Sequence, residues 1–213
     1  MAALRQDSKS LEFFPDEEKG RQNCLEAIRM GGERHSDTYK EFNGSSFKYI
    51  PSVYITKEFC EEAFALNFDV FKYIPKEFIT AEMCEKAVEN DAFALKFIPP
   101  EYRSKEIITT AVNKAGFLLR ELKDEQKTEE LCLSAVKNCY SAFDYVPYHL
   151  RTENVCFEAV IKDLCTFSRV PEKQKTYKFC LDVIERHGER ALKYIPERFR
   201  TDKVIINTIK KAW

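Results

Sequence analysis

Three histidines, six glycines and one tryptophan in 213 residues leave little material for the usual catalytic and cofactor-binding motifs. His35, His149 and His187 stand apart, with no metal-ligand spacing to a cysteine or to one another. The glycines form no phosphate-cradling loop, and no Gly-x-Ser-x-Gly elbow is present. No set of acid, base and nucleophile converges, so the expectation is a protein that is not an enzyme and takes no cofactor or metal.

Long hydrophobic runs are missing too. No stretch approaches the roughly 18 apolar residues that span a bilayer, and Met1 to Ser8 has no apolar core of signal-peptide length. A soluble cytoplasmic protein without a membrane partner is expected. Charge of one sign is also lacking: 34 lysines and arginines meet 35 aspartates and glutamates, so no global field draws the chain to nucleic acid or anionic lipid.

What the sequence does have is a period. Pro51, Pro75, Pro99, Pro147 and Pro171 follow a 24-residue ruler, Lys123 takes one proline's place, and Pro196 closes the series one residue late. An aromatic or aliphatic run precedes each mark, such as Phe47-Lys48-Tyr49-Ile50 and Phe71-Lys72-Tyr73-Ile74. A fixed period of this length signals stacked repeats, none of which can bury its apolar face alone.

Five residues after the marks stand Thr56, Thr80, Ser104, Thr128, Thr152, Thr176 and Thr201, placed to accept from the free amides of a first helical turn. Apolar residues follow at three-and-four spacing, for example Phe59, Cys60, Ala63 and Phe64, which puts them on one helical face. Asn90, Gly116, Asn138 and Gly188 read as stops with a left-handed C-terminal residue. A second, shorter helix then carries the aromatic run, and proline ends it. The fold class predicted is all-α: a right- or left-handed helical solenoid of about eight 24-residue helix-turn-helix repeats, forming one domain over residues 1–213.

Eight cysteines are enough for a disulfide framework, but Cys24, Cys60, Cys84, Cys132, Cys156 and Cys180 share one slot of the module. Stacked helices lie about 8–10 Å apart, beyond the reach of a disulfide. These thiols are expected to stay free and buried, as in a reducing cytosol. Cys139 and Cys165 lie outside the slot, either filling gaps or reactive.

Three places break the pattern. Between Pro15 and Pro51 the interval grows by twelve residues, an insertion at about 30–46 that reads either as a plain surface loop or as a binding loop with His35 and Asp37. Around Lys123 the tyrosine and proline are lost, which predicts a turn that opens or a short helix that runs on. Gln174 replaces an apolar residue near Pro171, a second candidate joint for bending or partner contact. At the end, a capped helix from Thr201 to Trp213 is expected to close the array with a polar outer face.

Two ladders recur before the marks. One is basic: Lys48, Lys72, Lys96, Arg120 and Lys193, broken by Asp144 and Ser168. The other is aromatic: Tyr49, Tyr73, Phe97, Tyr145 and Tyr194. Cations interleaved with stacking rings are how helical repeats hold single-stranded RNA; the competing reading packs the tyrosines between modules and leaves the lysines as a solvated edge. Glu58, Glu82, Glu106 and Glu130 form an acidic ladder that would repel phosphate if it shared that face. The function expected is non-enzymatic binding of a macromolecule: a protein partner, as scaffold, inhibitor or regulator of a larger complex, with nucleic acid as the alternative.

The run Ala191-Leu-Lys-Tyr-Ile-Pro-Glu-Arg-Phe-Arg-Thr-Asp-Lys203, together with helices of the Cys-x-x-Ala-Val type, resembles the bacterial repeat family called domain of unknown function 4116. Its unit looks like two 24-residue modules in tandem. The resemblance covers nearly the whole chain from Leu11, most clearly Phe47 to Val112 and Ala191 to Ile209, and departs at the insertion and at Lys123. It implies a bacterial origin, in a secreted effector acting in host cytosol or in a mobile element, and brings no catalytic motif.

Overall fold

In a computed structural model of the chain, which describes residues 8–15, 17–33 and 45–200, the hydroxyl five residues after each mark from Pro51 to Pro171 opens a helix. Thr56 accepts from the amide of Phe59 at 3.3 Å, Thr80 from Met83 at 3.2 Å and Ser104 from Ile107 at 3.3 Å. Thr128, Thr152 and Thr176 repeat this with Leu131, Val155 and Phe179. Thr201 and the expected last helix, with Trp213, lie outside the described residues.

The α-helices are α1 (Arg21–Glu33), α2 (Lys57–Leu66), α3 (Ala81–Asn90), α4 (Lys105–Lys114), α5 (Glu129–Asn138), α6 (Glu153–Lys162), α7 (Tyr177–His187) and the single turn α8 (Glu197–Arg200). Between them run tight 3-10 helices, and among the described residues there is no strand. The all-α class is as predicted.

The second helix of each module is not α-helical. It is a 3-10 helix of four to six residues, as at Phe68–Tyr73, Tyr140–Tyr145 and Leu164–Arg169. A 3-10 helix eclipses residues three apart, so Phe71 and Ile74 are buried together while Lys72 is left outside. Proline follows with φ near its preferred value, -56° at Pro75 and -54° at Pro147, and opens a further three-residue turn. Lys123 adopts the same geometry: its carbonyl accepts from Gln126 at 3.0 Å, and its amide donates to the Gln126 Oε1 at 3.1 Å. The turn expected to open or run on is therefore closed, because a glutamine side chain supplies what proline's ring supplies elsewhere.

The helix stops also differ from expectation. Of Asn90, Gly116, Asn138 and Gly188, the last alone is left-handed, with φ 62°. Elsewhere the chain leaves the α-helix through one extended residue, Asn67, Asp91, Cys139 or Asp163. Asn67, Asp91 and Asp163 then cap the next 3-10 helix, accepting from Asp69, Phe93 and Cys165 at 2.9 to 3.0 Å. Gly116 is small for another reason: a Cβ there would stand 2.2 Å from the Ala135 carbonyl oxygen.

The described chain divides into two compact units, one up to Thr110 and one from Ala111. In the first, α1 packs on α2, and the 3-10 helix Phe68–Tyr73 packs against both α2 and α3. Its core holds Leu11, Cys24, Ile28, Phe59, Cys60, Phe64, Phe71 and Met83. In the second, α5 packs on α6 and α6 on α7, around Leu119, Cys132, Phe143, Cys156, Phe167 and Phe179. Burying such a phenyl ring contributes about 1.5–3 kcal/mol. The insertion expected at about 30–46 begins inside α1, which extends to Glu33, and ends in a 3-10 helix starting at Ser45. His35 and Asp37 lie outside the described residues.

Candidate functional site

The slot three residues before each mark always points outward. Lys48, Lys72, Lys96, Arg120 and Lys193 are all exposed, and so are Asp144 and Ser168. The next slot carries the rings: Tyr49, Tyr73 and Tyr194 are half-buried, Phe97 and Tyr145 exposed. The two ladders therefore share one surface within each unit.

In the first unit, the Lys48 and Lys72 ammonium groups stand 5.1 and 5.0 Å from the centroid of the Tyr73 ring, within range of its negative face. Lys96 stands 5.7 Å from the ring of Phe93. Tyr49 shares its hydroxyl with Glu12, which raises its pKa above the ordinary phenol value.

In the second unit the ladder pairs with itself. Arg120 donates to Glu121 at 2.9 Å and stands 5.5 Å from the Phe117 ring. Glu121 above all, with Tyr145, holds the guanidinium in its charged form. Arg169, which replaces the tyrosine, bonds to Asp144, which replaces the lysine. Lys193 lies 4.8 Å from Tyr194, whose hydroxyl is 3.4 Å from the sulfur of exposed Cys165.

The acidic ladder belongs to the helix starts. Glu58 takes hydrogen bonds from its own amide and from the Thr56 hydroxyl, which hold its pKa below the usual carboxylate value. Glu106 is lowered in the same way with Ser104. Glu82 is lowered by Lys86 of its own helix, at 2.7 Å. Carboxylates near a helix N-terminus are favoured by its dipole, which accounts for the ladder without a ligand.

A third ladder is recognisable only in the structure. Four residues after the marks stand Arg103, Lys127, Arg151, Lys175 and Arg200, preceded by Ile55 and Ile79 in the same slot. Arg103, Arg151 and Arg200 donate through Nε to the carbonyls of Ile98, Val146 and Ile195, at 3.0, 3.1 and 2.7 Å. Lys127 and Arg151 also reach the following module, at the carbonyls of Tyr145 and Arg169. These cations satisfy carbonyls at the ends of 3-10 helices. The signal was present in five modules, but the two isoleucines hid it.

All eight cysteines are free, and the six that share a slot are buried. Burial pushes Cys24, Cys60, Cys84, Cys132 and Cys180 up to about 11 and Cys156 to about 12, so none is poised as a nucleophile. Cys139 lies 3.0 Å from the Ser141 hydroxyl. His149 is exposed and His187 half-buried. Among the described residues no group of three or more histidines, cysteines or carboxylates is placed to hold a metal ion, and no helix is long and apolar enough to cross a membrane.

No curated protein and no solved structure matches the chain. Residues 81–127, which run from the start of α3 through Pro99 and α4 to the turn after Lys123, match the family described as a domain of unknown function, DUF4116. That span is one residue short of two 24-residue modules and includes the Lys123 position at which the resemblance was expected to lapse. The resemblance to this family is thus established for residues 81–127.

Proposed function

We propose that the chain is a helical solenoid of about eight 24-residue repeats, not an enzyme, whose work is to bind another protein as scaffold, inhibitor or regulator of a larger complex. The observation that carries this reading is the ladder surface. Exposed rings, Phe93, Phe97 and Tyr145, stand beside cations that ring contacts and ion pairs already orient. Aromatic residues and arginine are the side chains that protein interfaces favour, and pre-oriented groups lose little freedom on binding. Free, buried thiols fit a reducing cytoplasm.

A second reading, single-stranded nucleic acid, draws on Lys48 and Lys72 flanking Tyr73. Against it stand the Arg120–Glu121 and Asp144–Arg169 pairs, which cancel charge where a phosphate track would need it.

Affinity purification of the tagged chain from lysate, with and without nuclease, separates the two. A stoichiometric protein that survives nuclease is the expected result. Recovery of nucleic acid, with any protein lost on digestion, would overturn it. In that case Lys48→Glu, Lys72→Glu and Lys96→Glu together should abolish strand binding and flatten its salt dependence.

A further inference from the structure

Neighbouring α-helices are joined across their seams in several ways. Arg21 of α1 pairs with Glu62 of α2. In the second unit Asn113 of α4 accepts from the Ser134 hydroxyl of α5 at 2.5 Å, and its carbonyl accepts from Asn138 at 3.1 Å. Between α5 and α6, Lys137 pairs with Glu158 at 3.9 Å, and the cap residue Thr152 donates to Glu129 at 2.8 Å. Lys162 of α6 also donates to the Lys137 carbonyl at 2.6 Å. Between α6 and α7, Phe157 and Phe179 meet edge to face at 6.0 Å.

The seam between α2 and α3 carries none of these. Among the described residues no hydrogen bond, ion pair or ring contact joins the two helices. Lys57 pairs with Glu61 and Lys86 with Glu82, each within its own helix. Nor does α2 pack on α3 as α1 packs on α2 or α5 on α6; both rest instead on the 3-10 helix Phe68–Tyr73. That short helix is firmly seated. Asn67, just before it, donates to the Ile28 carbonyl at 3.3 Å, and the Phe64 ring meets Phe68 at 5.0 Å and Phe71 at 5.9 Å. Between α2 and α3 lies a cleft of about 470 Å³, lined by Phe64, Ala65 and Phe68 on one side and by Met83 and Lys86 on the other. Phe68 is 38% exposed there.

We infer that the α2–α3 seam is a flexing joint built into the first unit: the two helices rock on the 3-10 helix Phe68–Tyr73 and so open and close the cleft. Helices bonded to each other are held in one arrangement, whereas two helices that meet through a third element change their angle without breaking a bond. A close-packed interface has no room for such a swing; the cleft supplies it. Closing covers the exposed part of Phe68, and opening returns it to water. Rotation is taken up at the two connections, the single extended residue Asn67, with φ -156° and ψ 110°, and the short turn that opens at Pro75. The same turn recurs in other modules, so the unbonded seam is what sets this joint apart. The joint needs no partner and stands apart from the protein-binding reading.

The test is a distance measurement by electron resonance on the full chain, with Cys139→Ser and Cys165→Ser removing the accessible thiols. Spin labels at Glu58→Cys and Glu82→Cys span α2 and α3; labels at Glu130→Cys and Asn154→Cys occupy the same slots on α5 and α6. The α2–α3 pair should give a broad or two-peaked distribution, and the α5–α6 pair a single narrow one. Ala65→Lys with Lys86→Glu places an ion pair in the slots that Lys137 and Glu158 fill, and should collapse the α2–α3 distribution to one narrow peak. A trifluoromethyl group on the Phe68 ring of the otherwise unaltered chain gives a second readout. Its fluorine resonance should be broadened by exchange and should sharpen when the ion pair is added. Equal widths at the two seams, or an α2–α3 distribution that the ion pair leaves as broad as before, would overturn the joint. A sharp fluorine resonance that the ion pair does not alter would also overturn it, and this result decides the matter if the labelled chains melt early.

Discussion

The ammonium of Lys48 stands 5.1 Å from the centroid of the Tyr73 ring, twenty-five residues further along the chain. The same two slots hold Arg120 with Tyr145, and Asp144 with Arg169. In the last pair the charged partner and the tyrosine have both been exchanged, and the link survives as an ion pair. The ladders are thus a set of ties between neighbouring modules as well as a surface.

That exchange can be tested by swapping it again. Asp144→Arg or Arg169→Asp alone places like charges together and should cost about 0.5–1 kcal/mol at low salt, the scale of an exposed pair. Combining them should restore most of the loss. Urea denaturation of the four proteins gives the coupling directly. Equal midpoints throughout would show that the tie contributes nothing to stability.

Gly116 and Gly20 make a matched pair of sites. An added methyl at Gly116 meets the Ala135 carbonyl oxygen at 2.2 Å, whereas at Gly20 nothing lies within 4 Å. Gly116→Ala should therefore destabilise by about 1–3 kcal/mol, as overpacking does. Gly20→Ala should stay within about 0.5 kcal/mol of the parent. Thermal melting of both variants decides it.

The buried thiols set a pH limit. Their folded pKa values, about 11 and for Cys156 about 12, lie above the ordinary 9.0. A raised folded pKa means that the proton is held more tightly in the fold. The associated stability is full below about pH 9 and is lost as pH rises through the folded values. Melting temperature should fall over that range, and replacing Cys156 and Cys180 by alanine should flatten the fall. At neutral pH a thiol reagent should label exposed Cys165 rapidly and the six slot cysteines no faster than the chain unfolds.

The features legible in the residues alone are those where one residue type does one local job. A hydroxyl five residues past a mark can cap a helix whatever surrounds it, and Cys60, Cys84 and Cys132 sit at helical spacing from their neighbours. Features that need two groups acting together were not legible. Asp91 ends one helix and caps the next, which no single-residue stop rule contains, so a left-handed residue was expected beside it at Asn90; the same double role of Asn67 carried no signal. The Gln126 closure of the Lys123 turn depends likewise on a reciprocal bond. Of the candidate partner-binding residues, the ladder cations were legible as exposed, but their pairing with rings one module away was not, because it depends on how modules stack.

Arg151 offers the strongest test of the third ladder. Its guanidinium bonds to the carbonyls of Val146 and Arg169 and lies 4.7 Å from the centroid of the Phe143 ring. Arg151→Met keeps the stem and removes the donors, so the loss should be about 1.5–3 kcal/mol, the range for charged hydrogen bonds. Arg151→Lys should recover part of it, since Lys127 fills the same slot and reaches the equivalent carbonyl at 2.9 Å. A chemical denaturation series on these two variants would show whether the slot is structural.

The short turn after each mark has a kinetic side. At Pro75 it consists of two hydrogen bonds, Phe78 to the Pro75 carbonyl and Ile79 to that of Lys76, and the residues it encloses are solvent-facing. The amides of α3 belong instead to a helix with a buried stripe. Openings of a protein follow such differences in local burial. Hydrogen exchange along the backbone should therefore alternate between slow and fast in register with the prolines, a rhythm of opening written by the same spacing that orders the fold.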